Sequence, residues 1–502
     1  MTRIKKNILK VMCLISFWSY SQSDIITINP EDIKQEVVFG GDNKLTIKAW
    51  AEGNIHSVSQ KLFKDMDLKI IRVPIFALQD ISDGIYDNVI DVVNSIKAVN
   101  PNVKVFASIA NGDGYGVNHH GASKFPSGWT GCCDYNVYKL NLTAYSAYLD
   151  SFMQRMTDAG ITIDYLGPYN EDPGDDSDYT KIINQMTKLG DTEIIGGESY
   201  ALSAAISIVD DIEDRIVIMG SHFYDDNTIN EADWDSTWAT LVEKSENPVW
   251  YTEATRYSNG DNINLLIAGL DNIFAPIRGG AEAVIFYQVC KRFVYANGSK
   301  LPIKYSGFQN VVNNTKGNYI VSNSNNENIK LIAFKDGDNL DVHVINNNSS
   351  EHTVSLQLLN DYTIVGNYST KEWTASSTAL SNSYTNTETS SVNVTLPATS
   401  YTYYNFTLNK STGLSNESIL NSKETKIIPN PVTNGNFNID FSNKFLPENI
   451  NLKLFSISGE LVFSKTQNSR EEIVLDKNIP SGIYILSIEY SKGKICEKLI
   501  IQ

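Results

Sequence analysis

The sequence predicts an α/β protein built on a (β/α)8 barrel of the TIM type, with an attached β-sandwich side domain and a small all-β domain after it. Three observations predict this. From 36 to 316, short β-rich runs alternate with longer amphipathic runs, in eight strand–helix units. From 317 the helical period stops, and alternating apolar and polar residues are separated by Asn, Ser and Gly turns. After a polar, aperiodic linker at 409–426, strand-rich sequence resumes to 502.

The eight candidate strands end near Trp50, Pro74, Ser108, Asn170, Ser199, His222, Glu253 and Gln288. Helical patterns lie between them, at 55–66, 86–98, 142–159, 179–189 and 262–278. In the third of these, Tyr145, Tyr148, Leu149, Phe152 and Met156 share one face. A doubly wound sheet is the competing architecture, but no Gly-rich phosphate loop follows the first strand, and no cofactor is expected. In the side domain, 330–334, 340–345, 353–358 and 400–408 read as strands. The strand near 25–28, within 23–35, is expected to join them, and 375–391 reads as a loop or edge hairpin.

Composition narrows the functional classes. The 502 residues carry 41 Lys+Arg against 58 Asp+Glu, a net charge of −17. That excess argues against a nucleic-acid partner, which needs a basic face. No internal apolar run reaches the ~18–20 residues of a membrane span. Arg3, Lys5, Lys6 and Lys10, followed by a short apolar stretch, read as a signal peptide over 1–22. Export permits disulfides: Cys132 and Cys133 could pair with each other, or one with Cys290, and buried free thiols are the alternative. His119-His120 is a loop pair without spaced ligands, so no metal is expected.

A barrel carries its chemistry at the C-terminal ends of its strands. The fourth ends in Gly167-Pro168-Tyr169-Asn170-Glu171 and the seventh in Val249-Trp250-Tyr251-Thr252-Glu253. Two carboxylic acids facing each other across a barrel mouth suit double-displacement glycoside hydrolysis. Asn-Glu recurs at Asn230-Glu231, Asn326-Glu327 and Asn416-Glu417, and Thr-Glu at Thr192-Glu193 and Thr387-Glu388. The signal is therefore the placement behind apolar runs, and a structural ion pair is the competing reading.

The barrel resembles clan A retaining glycosidases, and most closely glycoside hydrolase family 30. The resemblance rests on Arg72-Val73-Pro74, on Pro168-Tyr169-Asn170-Glu171-Asp172-Pro173, on Gly197-Glu198-Ser199, on Ser221-His222-Phe223-Tyr224, and on Trp250-Tyr251-Thr252-Glu253. It implies Glu171 as general acid/base and Glu253 as nucleophile. Asn170 would bond the sugar 2-hydroxyl, Arg72 and Tyr224 would hold Glu253 ionised and oriented, and His222 would line the cleft. Glu198 would stand behind the pair. Tyr169 and Asp172 depart from the family's P-Q-N-E-P segment, and the third loop lacks its Trp- and Pro-rich run, with Trp129 as the substitute. Asn313 to Tyr319 lacks its Arg-Pro-Gly.

Sugars stack on aromatic faces. Trp50, Tyr115, Trp129, Tyr224, Tyr257, Tyr287 and Tyr295 are the candidates near strand ends, each with core packing as its default reading. The loop Tyr287-Gln288-Val289-Cys290-Lys291-Arg292 resembles the one with which bacterial xylanases of the family hold a glucuronate branch. Arg292, with Lys291 beside it, is expected to read an acidic substituent; a solvated charge is the bland alternative.

Pro429-Asn430-Pro431, Leu454-Phe455-Ser456-Ile457-Ser458-Gly459, Ser481-Gly482-Ile483-Tyr484 and Lys498-Leu499-Ile500-Ile501-Gln502 resemble the type A sorting domain of the type IX secretion system. This implies secretion or surface attachment, with that machinery as a partner. The expectation is a retaining endo-β-glycosidase acting on a plant or algal polysaccharide, xylan- or glucuronoxylan-like. A β-1,6-glucanase or galactanase, and a catalytically silent glycan-binding protein at the cell surface, are the alternatives.

Overall fold

A computed structural model describes residues 24–116, 123–130, 140–171, 174–256, 259–410, 425–441, 449–456, 460–469, 471–475, 479–490 and 493–502. The proposed leader, His119-His120, Cys132, Cys133, Asp172, Pro173, Tyr257 and linker residues 411–424 lie outside them. Among the described residues, no helix is long and apolar enough to cross a membrane.

Eight parallel strands close into a barrel: Val38–Asp42, Ile70–Ile75, Lys104–Ile109, Tyr165–Gly167, Glu193–Ser199, Ile218–His222, Val249–Ala254 and Ala283–Tyr287. The first pairs with both the second (Gly40 opposite Ile70) and the eighth (Val38 opposite Ala283). Inside, Ile70, Phe106, Ile195, Ile218, Trp250 and Ile285 pack as one apolar cluster. Outside, the strands meet helices through a larger core. Side-chain amides of Asn141 and Asn262 cap the long helices Leu142–Asp158 and Ile263–Gly279, accepting from Ala144 N and Leu265 N. Gly280, at φ 105°, terminates the second.

The first strand corrects one expectation. It ends at Asp42, whereas Trp50 lies in helix Ile47–Ala51, fully buried and stacked on Phe63. The strand is easily missed because its centre is glycine. A Cβ on Gly40 would lie 2.6 Å from Ile285 Cδ1 and 2.9 Å from both Ile70 Cβ and the Ile70 carbonyl oxygen. That carbonyl is fixed by the barrel, so Gly40→Ala is expected to destabilise the protein by about 1–3 kcal/mol in a urea or thermal melt. A melt unchanged within about 0.5 kcal/mol would contradict this packing.

The side domain is a nine-stranded sheet in the order Leu380–Tyr384, Tyr362–Trp373, Ser400–Lys410, Asn339–Asn346, Ile329–Asp336, Asn318–Ser324, Asp24–Glu36, His352–Leu358 and Ser391–Leu396. Ile364 and Tyr368 from one end of the sheet share a core with Val394 and Leu396 from the other, so the sheet curls over itself. The N-terminal strand is a central member, parallel to His352–Leu358 and antiparallel to Asn318–Ser324. Leu380–Tyr384 forms an edge hairpin with Tyr362–Trp373.

A second compact unit begins at Lys410. It contains a three-stranded sheet (Thr425–Ile428, Asn436–Phe441, Ile473–Val474) and a four-stranded sheet (Leu461–Asn468, Asn449–Ser456, Gly482–Tyr490, Gly493–Ile501). Phe437, Leu452, Leu454, Phe463, Leu486 and Leu499 belong to its core.

Candidate active site

The C-terminal ends of the barrel strands converge on a cavity of about 440 Å3 lined by Lys44, Leu45, Ala110, Asn111, Asn170, Glu171, Tyr200, Tyr224, Glu253, Thr255, Tyr287 and Arg292. Its size and few convergent polar groups suit a small-ligand or sugar site.

Glu253 reaches the cavity through a register shift. Along the seventh strand Trp250 points into the barrel, while Tyr251 points out to Trp238 and to Asn272, which accepts its hydroxyl at 2.7 Å. Strict alternation would put Glu253 on the outer face with Tyr251. Between Tyr251 and Glu253, however, the seventh strand carries one residue more than the sixth, which pairs Ser221 with Tyr251 but His222 with Glu253. The extra residue turns Glu253 inward. The fifth strand has a comparable shift at Glu198, between Gly197 and Ser199. Glu171 and Glu198 both take left-handed backbone conformations, φ 65° and 45°, and Glu171 N donates to the Glu198 carbonyl at 2.8 Å. Left-handed non-glycine residues store strain, and they concentrate at functional sites.

Arg72 is the hub beneath the cavity. Its Nη1 donates to Asp42 Oδ2 (2.8 Å) and Glu253 Oε2 (2.7 Å). Its Nη2 donates to Asn170 Oδ1 (2.8 Å), Glu198 Oε1 (2.7 Å) and Ser108 Oγ (3.1 Å). Tyr224 donates to Glu253 Oε1 at 2.6 Å. Lys44 Nζ lies 3.4 Å from Glu253 Oε2.

The two carboxylates are driven apart electrostatically. Burial opposes ionisation of Glu253, but the His222 ring, Lys44, Arg72 and the Tyr224 hydroxyl outweigh it and hold its pKa well below the carboxylate range. Burial pushes His222 itself down to about 3, so the ring is neutral near pH 7 and the fixed charges on Glu253 are Lys44 and Arg72. Burial, then the Glu253 charge, raise Glu171, against the pull of Lys44, Lys124 and Arg72. Burial also lifts Asp42 to about 6 despite Arg72 and Lys44. One oxygen each of Glu171 and Glu253 and one ring nitrogen of His222 lie within 4.8 Å of one another. That trio has metal-ligand chemistry, but a divalent ion there would face the two cations already bound to Glu253.

Asn170, Glu171, Tyr224, Glu253, Tyr287 and Arg292 thus meet at one cavity. Arg72 and His222 do not line it: both are fully buried behind the carboxylates and act on them. Trp129 also departs from expectation. Its ring packs on Tyr148 (5.5 Å) and Tyr145 (6.3 Å) of the third-loop helix and takes no part in the lining. Tyr115, whose hydroxyl donates to Asp83, and Tyr295 are exposed away from the cavity. Lys291 is exposed, and Arg292 donates to the carbonyls of Thr255 and Tyr287 with its guanidinium 5.2 Å over the Tyr287 ring. Cys290 is a buried free thiol.

Six lining residues, Lys44, Leu45, Ala110, Asn111, Tyr200 and Thr255, are not among the expected site residues, and Lys44 and Tyr200 bring new chemistry to the cavity. Placing the first strand's end near Trp50 hid Lys44. The transition from Phe39-Gly40-Gly41 to Asp42-Asn43-Lys44 was its available signal. Tyr200 stacks on Tyr224 at 4.7 Å and is 51% exposed, so it offers a free aromatic face at the cavity rim. It directly follows Gly197-Glu198-Ser199.

Residues 426–502 match the family model of the secretion system C-terminal sorting domain. This segment is a sorting domain. No curated protein matches the chain in sequence. Among solved structures, a glycoside hydrolase family 30 endoxylanase from Clostridium papyrosolvens aligns with TM-score 0.60 and 15% identity, over 76% of this chain and 100% of that one. A subfamily 8 xylanase of the same family from Clostridium acetobutylicum aligns with TM-score 0.59 and 16% identity, over 76% and 99%. An endo-β-1,6-glucanase aligns with TM-score 0.51 and 15% identity, over 76% and 94%. The barrel and side sheet ahead of the sorting domain therefore share the fold of these enzymes.

Proposed function

We propose that the chain is a secreted retaining endo-β-glycosidase that hydrolyses a xylan- or glucuronoxylan-like polysaccharide. The observation that carries this reading is the carboxylate pair: oxygens within 4.8 Å, with one pKa held low and the other raised. Retaining enzymes keep their two carboxyl groups ~5–5.5 Å apart, whereas inverting ones need ~6.5–9.5 Å to admit a water. In this scheme Glu253, ionised by Arg72 and Lys44, attacks the anomeric carbon. Glu171, whose pKa burial and the Glu253 charge raise, gives its proton to the departing oxygen. Glu171 then takes a proton from the water that releases the sugar from Glu253.

Asn170 faces the cavity beside the pair and suits the 2-hydroxyl of the attacked sugar. Tyr200, Tyr224 and Tyr287 supply aromatic surface, and Arg292 a cation at the rim for an acidic branch. The sorting domain supports export through the type IX system, with the enzyme acting outside the cell or on its surface.

The test is a panel of linear xylan, glucuronate-branched xylan, β-1,6-glucan and β-1,6-galactan, with sized products and the anomer of each followed by NMR. Oligosaccharides from xylans with retained β-configuration are expected. Arg292→Ala should lower kcat/KM on branched xylan about tenfold and leave linear xylan within twofold, in keeping with loss of one charged hydrogen-bonding group. Equal losses on both would remove Arg292 as the branch reader. Turnover confined to β-1,6-glucan or galactan would favour the second reading, to which the glucanase fold match lends support. Binding without turnover would identify a silent glycan-binding protein.

A further inference from the structure

Lys44 is a charged residue in an unusual position. It opens the short 3-10 turn Lys44–Thr46 directly after the first barrel strand, and its backbone N donates to Asp42 Oδ1 at 2.8 Å, which locks the turn. The side chain is only 3% exposed, yet it lines the cavity. Its Nζ donates to Asn170 Oδ1 at 2.6 Å and lies 3.4 Å from Glu253 Oε2. Buried ammonium groups are costly unless they are bonded, and this one is bonded to the two groups that the proposed reaction places against the sugar.

The geometry at Asn170 is the informative part. Its Oδ1 accepts from two cationic donors, Lys44 Nζ and Arg72 Nη2. An amide oxygen has two lone pairs, so both are committed, and the amide cannot turn over without facing two donors with its NH2. The NH2 is left as the group available to a ligand, and two cations on the oxygen polarise it into a stronger donor.

We propose that Lys44 is a positioning residue that fixes Asn170 as a hydrogen-bond donor to the 2-hydroxyl of the bound sugar while holding Glu253 in its attacking orientation. This rests on the glycosidase reading above and adds the means by which the site recognises that hydroxyl. The 2-hydroxyl interaction strengthens as the transition state forms, so its loss is felt in the rate.

The experiment compares an aryl β-glycoside of the sugar released in the panel with its 2-deoxy counterpart, on the full-length protein. The ratio of kcat/KM for the two does not depend on how much of a variant is folded. Lys44→Met is expected to lower the preference for the 2-hydroxy substrate by about tenfold or more, the scale of a charge-assisted hydrogen bond in a buried site. Lys44→Gln, shorter and neutral but still a donor, should lie between Met and Lys.

A second readout is pH. The groups facing Glu253 are Arg72, Lys44, His222, Tyr224, Asp42 and Glu171. Removing the Lys44 charge raises the pKa of Glu253, so the acid limb of kcat/KM should move to higher pH by about one unit in the Met variant. A 2-hydroxy preference kept within twofold in both variants, or an acid limb that stays in place, overturns the role of Lys44 alone. A wild-type protein that releases no sugar from any polysaccharide of the panel overturns the glycosidase reading itself.

Discussion

Glu253→Gln is expected to abolish turnover, with kcat falling about 10⁴-fold or more, because it removes the carboxylate that forms the covalent bond to the anomeric carbon. The fold should survive. Gln is nearly isosteric, its side-chain oxygen can still accept from Arg72, and it removes a buried negative charge. Glu171→Gln should cost about 10²–10⁴-fold on polysaccharide, the usual weight of a general acid. It should cost far less in the first step for aryl glycosides, whose leaving groups depart without a proton.

Azide separates the two roles. In Glu253→Ala, azide fills the vacated space and attacks from the nucleophile's side, giving the inverted glycosyl azide. In Glu171→Ala, the covalent intermediate still forms, and azide opens it from the other side to give the retained product. The same azide anomer from both variants, or undiminished release of reducing ends from either Gln variant, would sink the assignment.

Arg72→Leu should be the most destabilising substitution in the barrel, by about 3–5 kcal/mol. Arg72 is fully buried and bonds three carboxylates, Asp42, Glu198 and Glu253, together with Asn170 and Ser108. Its removal leaves Lys44 as the remaining cation against them. The pH dependence follows from the sign of the change. Without Arg72, Glu253 loses one of the charges that hold its folded-state pKa low, and Asp42, already lifted to about 6 by burial, rises further. The variant is then least handicapped at low pH, where the groups are neutral in both states, and loses ground as pH rises through the folded values. The gap in melting temperature from wild type should therefore widen between about pH 5 and pH 8. Arg72→Lys keeps one charge but cannot fork between Asp42 and Glu198, and should recover only part of the loss. A gap that is small, or constant with pH, would show that Arg72 carries less of the site's charge balance than its contacts indicate.

Much of this architecture was legible in local pattern. The β/α alternation marked seven of the eight barrel strand ends to within about three residues, a normal error at element boundaries. The period change at 317 marked the side sheet, and ordered motifs marked the sorting domain. The acids behind apolar runs on strands four and seven brought Glu171 and Glu253 forward for the same reason: a buried strand that ends on a polar group reports where the barrel mouth lies.

The failures share a cause too. Trp50 misplaces the end of the first strand, and Trp129 is expected at the cleft, because a sequence gives a side chain's type and not its direction; their rings pack on Phe63 and on the Tyr145–Tyr148 face. The sequence by itself determined seven of the eight barrel strands, because alternation and the 3.6-residue period are local properties of the chain; the glycine-centred first strand escaped it. Only the tertiary structure decided that Glu253 points inward. That depends on how many residues the seventh strand spends against the sixth, and register is set by neighbours far away in sequence. Lys44 was decided in the same way: nothing near it in the chain indicates Asn170 and Glu253, and closing the barrel brings the first, fourth and seventh strand ends within hydrogen-bond reach of one another.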